Sequence, residues 1–196
     1  SSDLNPNCLD AYVASGELAL LKEDYGLART QFEKGLRRFP DAPGLLLGMA
    51  QAHFHGDRRH MLGLLERVLA INPRLADARL LLAEHLVDAE QFGVAAQKAD
   101  TVLETNPRNE RAWSTFALLA ELRHDADAAL QLRRIALQDW PKNPAVDHFL
   151  GRKLSQKYLF KEGAAYQRKS LSADSEYLPA KVQLSQDLLR LGKDAE

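Results

Sequence analysis

Residues 76–107 read ADARLLLAEHLVDAEQFGVAAQKADTVLETNP. Leucine and alanine recur through this stretch at three- and four-residue spacing, the pattern of helices that bury one side. The expected helices are 76–89 and 92–105, a pair joined by a short turn. The stretch closes on Asn106-Pro107, and proline ends a helix because it lacks an N–H and clashes with the preceding turn. Strand signals are poor across the chain: few Val or Ile runs alternate with polar residues, and no Asn-Gly hairpin occurs.

The same punctuation repeats along the chain. Pro6, Pro40, Pro73, Pro107 and Pro141 are separated by 34, 33, 34 and 34 residues, and one further period lands on Ser175. A second agreement lies inside each period. Tyr12, Gly16, Ala28 and Phe32 have counterparts in Leu46, Ala50, Met61 and Leu65, then in Arg79, Ala83, Ala95 and Ala99. Trp113, Ala117, Ala129 and Arg133 follow, then Asp147, Gly151, Gly163 and Gln167. Small residues stand where two helices of a unit approach closely, with larger apolar residues around them.

This pattern resembles the tetratricopeptide repeat, whose unit follows Trp-x2-Leu-Gly-x2-Tyr, Ala-x3-Phe, Pro. The resemblance covers nearly the whole chain: five full units and the first helix of a sixth, carrying Leu184, Ser185 and Leu188. Departures are Ser15 where the family prefers leucine, and Arg133 and Gln167 where it prefers an aromatic. The resemblance implies an all-α fold, a right-handed α-solenoid of antiparallel helix pairs, forming one domain over residues 1–196. Its units span about 9–42, 43–75, 76–109, 110–143 and 144–177, with a sixth first helix in 178–196. The paired helices are expected at 9–22 and 25–38, 43–55 and 58–71, 76–89 and 92–105, 110–123 and 126–139, and 144–157 and 160–173, with the last at 178–191.

Composition narrows the function classes. With 45% apolar residues and a net charge of −1, the chain favours neither nucleic acid nor an acidic membrane as partner. A single cysteine, Cys8, excludes an internal disulfide framework and a Cys-rich zinc fold. No apolar run reaches the roughly 18 residues a membrane span needs. The opening SSDLNPN has no initiator Met and RLGKDAE has no closing element, so the sequence reads as a piece of a longer protein. Its Ala-, Leu- and Arg-rich composition suggests a bacterial source. The compartment stays open.

The stretch HFHGDRRH, residues 53–60, is the obvious metal candidate. His53 falls at a packing position, and His55 lies about 200° around the helix from it, so a regular helix cannot aim both at one ion. Gly56-Asp57 is read as a turn one residue shorter than its counterparts, which accounts for the 33-residue period. The cluster is therefore a turn with one packing and two exposed histidines, and no metal or other cofactor is expected. No phosphate loop, nucleophile elbow or His-Glu-x-x-His helix is present. Glu23-Asp24 and the Asp125/Asp127 pair fall at turns and are expected to cap helices. No catalytic residue is assigned, and a reactive role for Cys8 is disfavoured.

In the tetratricopeptide family the first helix of each unit lines a concave groove that holds a partner peptide or helix. Carried over by position, the groove would comprise Asp10, Val13, Glu17, Leu47, Gln51, Phe54, Asp77, Leu80, Glu84, Val87, Arg111, Ser114, His148 and Arg152. Leu20, Leu21, His55, Asp88, Leu118, Glu121, Leu122, Ser155 and Gln156 would flank them. The Lys/Arg/Asn clamp that some members close on a C-terminal carboxylate is missing: Val13, Glu17 and Leu47 stand at its places. The leading expectation is a non-catalytic protein-interaction scaffold. One rival is a regulatory or substrate-presenting arm of a larger bacterial enzyme, such as a peptidase, and another is self-association through the C-terminal end. The basic run 151–170 (Arg152, Lys153, Lys157, Lys161, Arg168, Lys169) is read as a solvated face, with Tyr158 and Phe160 packed at the turn, and no nucleic acid is expected.

Overall fold

The computed structural model describes residues 8–192, so Pro6, the first of the spaced prolines, lies outside the described residues. The described chain is helical: α1 (Leu9–Leu21), α2 (Tyr25–Leu36), α3 (Pro43–His53), α4 (Arg58–Ile71), α5 (Ala76–Asp88), α6 (Phe92–Leu103), α7 (Glu110–Leu122), α8 (Ala126–Ala136), α9 (Pro144–Gln156), α10 (Phe160–Ala173) and α11 (Leu178–Arg190). Every expected helix is present. Each begins where expected; α4 and α10 also end there, and the others stop one to three residues short of the sequence estimate. Pro40, Pro73, Pro107 and Pro141 all fall in the loops between a second helix and the next first helix. None of the described helices is long and apolar enough to cross a membrane.

The turns inside the pairs share a device. Glu23, Glu90, His124 and Tyr158, each the second residue after a first helix, hold left-handed φ values of 57 to 65°. At three pairs the following helix opens on an acid: Asp24, Asp57 and Asp125 accept from the amides of Leu27, His60 and Ala128 at 2.9, 2.9 and 3.0 Å. These are N-caps, satisfying amides that the first helical turn leaves without partners. The second pair departs from the pattern in a way the sequence reading placed wrongly. The missing residue does not shorten the turn. Instead α3 is 11 residues long where α1 and α5 have 13. The amides of Gly56 and Asp57 both bond back to the His53 carbonyl at 3.1 Å, so the helix ends early and no left-handed residue is needed.

The chain divides into two compact units, residues 1–89 and 90–196, at the turn inside the third repeat. In the first unit, α1 packs on α2 and α3, and α3 packs on α4 and α5. Its centre is Phe32, fully buried between two glycines. A methyl group on either Gly16 or Gly48 would sit 2.3 Å from the Phe32 ring, so both positions require hydrogen as a side chain. Leu45, Leu46, Met61, Leu65 and Val68 complete the fully buried layer.

In the second unit, α7 packs on α6, α8 and α9, while α9 packs on α10 and α11. Here polar groups occupy the large packing positions. Gln167, at the repeat position of Phe32, is fully buried against Gly151. Its side-chain oxygen meets His148 Nδ1 at 2.9 Å, and its amide donates to the His148 carbonyl at 3.3 Å. Arg133 makes a two-pronged ion pair with buried Asp147, both contacts at 2.5 Å. Next to this pair the Tyr166 hydroxyl donates to Glu121, with the Lys169 ammonium 4.0 Å from the centre of its ring. Burial foremost, then the Glu121 bond, raises the Tyr166 hydroxyl well above the usual phenol range.

Candidate partner-binding faces

A first helix has two neighbours to satisfy, its own partner helix and the next first helix. In the first unit α1, α3 and α5 carry apolar side chains on every side, whereas α4 confines them to one face. Along α1 and α3, Val13, Leu47 and the C-capping Phe54 are half-buried against the core of the first unit, Gln51 is half-buried, and Asp10 and Glu17 are exposed. Asp77 lies exposed in the first turn of α5. Three residues assigned to the groove from sequence behave differently: Leu80, Glu84 and Val87 are buried, so they form packing beneath the face, not open contacts.

On the second unit Arg111 is exposed, while His148 and Arg152 are half-buried. His148 is held by Gln167 and by an edge-to-face contact with Tyr177, ring centres 5.6 Å apart. Ser114 is buried, and its hydroxyl donates to the Glu110 carbonyl one turn back at 2.7 Å. That hydrogen bond belongs to the helix and is not offered outward.

The histidine cluster packs by rings. His53 and His60 meet edge to face with centres 4.5 Å apart, while His55 lies near Tyr25 and Phe54. Burial lowers the His53 pKa, and the neighbouring His60 and Arg29 lower it further. Among the described residues no three or more His, Cys, Asp or Glu side chains come together as metal ligands would.

Between α9 and α11 a buried acid escaped the sequence reading. Asp187 is 1% exposed and receives the Gln183 amide at 2.9 Å. The Ser155 hydroxyl stands 2.9 Å from Asp187 Oδ2 and 2.9 Å from the Gly151 carbonyl. Its single hydrogen is shared between the Asp187 carboxyl and the Gly151 carbonyl. Burial raises the Asp187 pKa, partly offset by the bonds donated by Gln183 and Ser155. Gly163 makes room for it: a methyl group there would lie 2.0 Å from Ser155 Oγ. The sequence signal was the Gly151/Gly163 pair, which marked a close helix approach without showing that an acid would seal it.

No family model matches the chain. Among curated proteins, human mitochondrial import receptor subunit TOM70 is 27% identical over 150 residues, covering 70% of this chain and 24% of that protein. The chain thus spans about a quarter of that relative's length. Among solved structures, a thermophilic tetratricopeptide protein of Thermus thermophilus superimposes with a TM-score of 0.73 at 20% identity, over 93% of this chain and all of that one. PilF of Pseudomonas aeruginosa gives 0.63 at 14% identity, over 94% of this chain and 85% of its own. Human IFIT1, solved as a dimer with m7Gppp-AAAA, gives 0.66 at 20% identity, over 95% of this chain and 48% of its own. Helix arrangement, period and neighbours agree: the fold is the tetratricopeptide-repeat α-solenoid.

Proposed function

We propose that the chain is a non-catalytic interaction scaffold that holds a partner's peptide or helix on its first-helix faces. The observation that supports it most is the surplus apolar surface of α1 and α3. Val13, Leu47 and Phe54 pack against the core of the first unit and still keep part of their apolar surface open. Half-buried aliphatic and aromatic side chains ringed by Asp10, Glu17 and Gln51 form the composition of an interaction surface: apolar anchors with a polar rim. On the second unit Arg111, His148 and Arg152 would form the corresponding rim, with Ser114 beneath. Asp77 would border the first face, over Leu80, Glu84 and Val87 as its packed floor. The likeness to receptor subunit TOM70 is in accord with a protein partner. A groove that binds by anchors and charge needs no cofactor.

Selection of a random peptide display library against the chain tests this reading. Enriched peptides, measured by calorimetry, should lose at least about tenfold in affinity (1.4 kcal/mol) to a Glu17→Arg/Gln51→Arg variant that melts like the wild type. Both positions lie outside the buried core, so the substitution changes the face and leaves the packing intact. Enriched peptides that bind the variant equally well would move the function away from α1 and α3.

A further inference from the structure

The second helix of the second repeat carries a hollow of about 790 Å³. Its apolar lining is Leu62, Gly63, Leu65 and Leu69 of α4 with Leu82 of α5. Leu65 is buried and the other three leucines are half-buried. The volume lies within the range of about 300–1,000 Å³ typical of small-molecule sites, whose walls are mostly apolar with a few placed polar groups.

Two choices along α4 have no explanation in the fold itself. The first is Gly63. Six described glycines lie beyond the third residue of a helix. A methyl group on Gly16, Gly35, Gly48, Gly151 or Gly163 would come within 2.0 to 2.8 Å of a neighbour, so helix packing requires those five. At Gly63 it would meet nothing within 4 Å. Glycine weakens a helix interior relative to alanine, and here no neighbour demands it. What the missing side chain does is keep the hollow open.

The second choice is the charge at the start of α4. Arg58 and Arg59 line the hollow from the first turn, where the helix dipole disfavours cations. Glu66 is the one carboxylate in the lining. Among the described residues none of these three is held in an ion pair, unlike Arg67 with Asp41 on the same helix. A helix rises about 1.5 Å per residue, which puts Glu66 about 10 Å and Leu69 about 15 Å along the axis from Arg59. The hollow therefore runs from two guanidiniums, past one carboxylate, to an aliphatic end.

We infer that this hollow binds a fatty carboxylate of medium chain length, its head on Arg58 and Arg59 and its chain along Leu62, Leu65, Leu69 and Leu82. Guanidinium takes a carboxylate through two parallel bonds, and Glu66 opposes the reversed orientation by repulsion. An extended peptide would bring backbone amides and carbonyls, for which leucines offer no hydrogen-bond partner. The site lies on a second helix, apart from the α1 and α3 faces of the scaffold reading, so either can fail alone.

Calorimetric titration of the chain with decanoate, butyrate, decyltrimethylammonium and decanol, each below its self-association concentration, tests it. Decanoate should bind one per chain and at least about tenfold more tightly than each of the others. Gly63→Leu, which fills the hollow, should weaken decanoate about tenfold without lowering the melting temperature. Arg58→Gln/Arg59→Gln alters only exposed side chains and should reduce decanoate to the affinity of decanol. No saturable binding of decanoate, binding that survives both variants, or equal affinity for the trimethylammonium would overturn the inference. So would a library-selected peptide, or vesicles of phosphatidylglycerol, whose binding falls in Gly63→Leu while decanoate does not bind. The hollow would then seat a protein segment or a membrane surface instead.

Discussion

Asp187 shows how much one residue can couple. Its carboxyl ties α11 to α9 through Ser155 and leans on the space that Gly163 leaves. Because burial raises its folded pKa above the ordinary value of 3.8, the folded state holds the proton more tightly than the unfolded chain does. The sign follows from linkage: its stability contribution is full below about pH 3.8 and is lost as pH rises through the raised value. Urea unfolding measured at several pH values, for wild type against Asp187→Asn, should show the difference between them changing in that window and level above it. A difference independent of pH would mean that Asp187 titrates as an exposed acid. The sequence showed this residue only as one polar position on a helix. Its partner Ser155 lies 32 residues away, and nothing in the spacing states that the two meet.

Individual helices here are short and depend on their ends. Asp24, Asp57 and Asp125 cap α2, α4 and α8, but α6 begins at Gln91 without a side-chain cap. The backbone there, φ −86° and ψ 58°, is close to that of Asp24 at −82° and 74°. Gln91→Asp should therefore stabilise the protein by about 0.5–1 kcal/mol, visible as a raised urea midpoint with unchanged slope. No gain would mean that the amides at the start of α6 are already satisfied. Capping acids were legible in the sequence, since a carboxylate at the start of a helical run has a local physical role. The early end of α3 was not, because one missing residue can be absorbed by a turn or by a helix, and only backbone geometry chooses. The Arg133–Asp147 pair lies between these cases. Arg133 stood out as a charge where an aromatic was expected, yet that Asp147 answers it became visible only when α8 and α9 were placed.

At the scale of the molecule, the first unit contains a complete core. All residues clustered around Phe32 lie between Leu9 and Leu82. Residues 1–89 expressed alone should accordingly give a helical circular dichroism spectrum and a cooperative urea transition. Repeat arrays depend on neighbour contacts close in sequence, which favours such autonomy. A disordered spectrum would show that the first unit draws its stability from residues beyond 89.

What the sequence determined by itself is the repeating frame: helix pairs, their number, the proline punctuation and the small residues at close crossings. Those features depend on contacts within about one period, and local patterns record them. What only the tertiary structure decided is which side chains remain for function. Periodicity places Leu47 and Leu80 at equivalent positions, yet one is half-exposed and the other buried. Tyr158 reads as packing and stands in solvent, while Asp187, which no sequence pattern singled out, is sealed. Exposure depends on what every neighbouring helix leaves uncovered, a property of the assembled units that no single repeat contains.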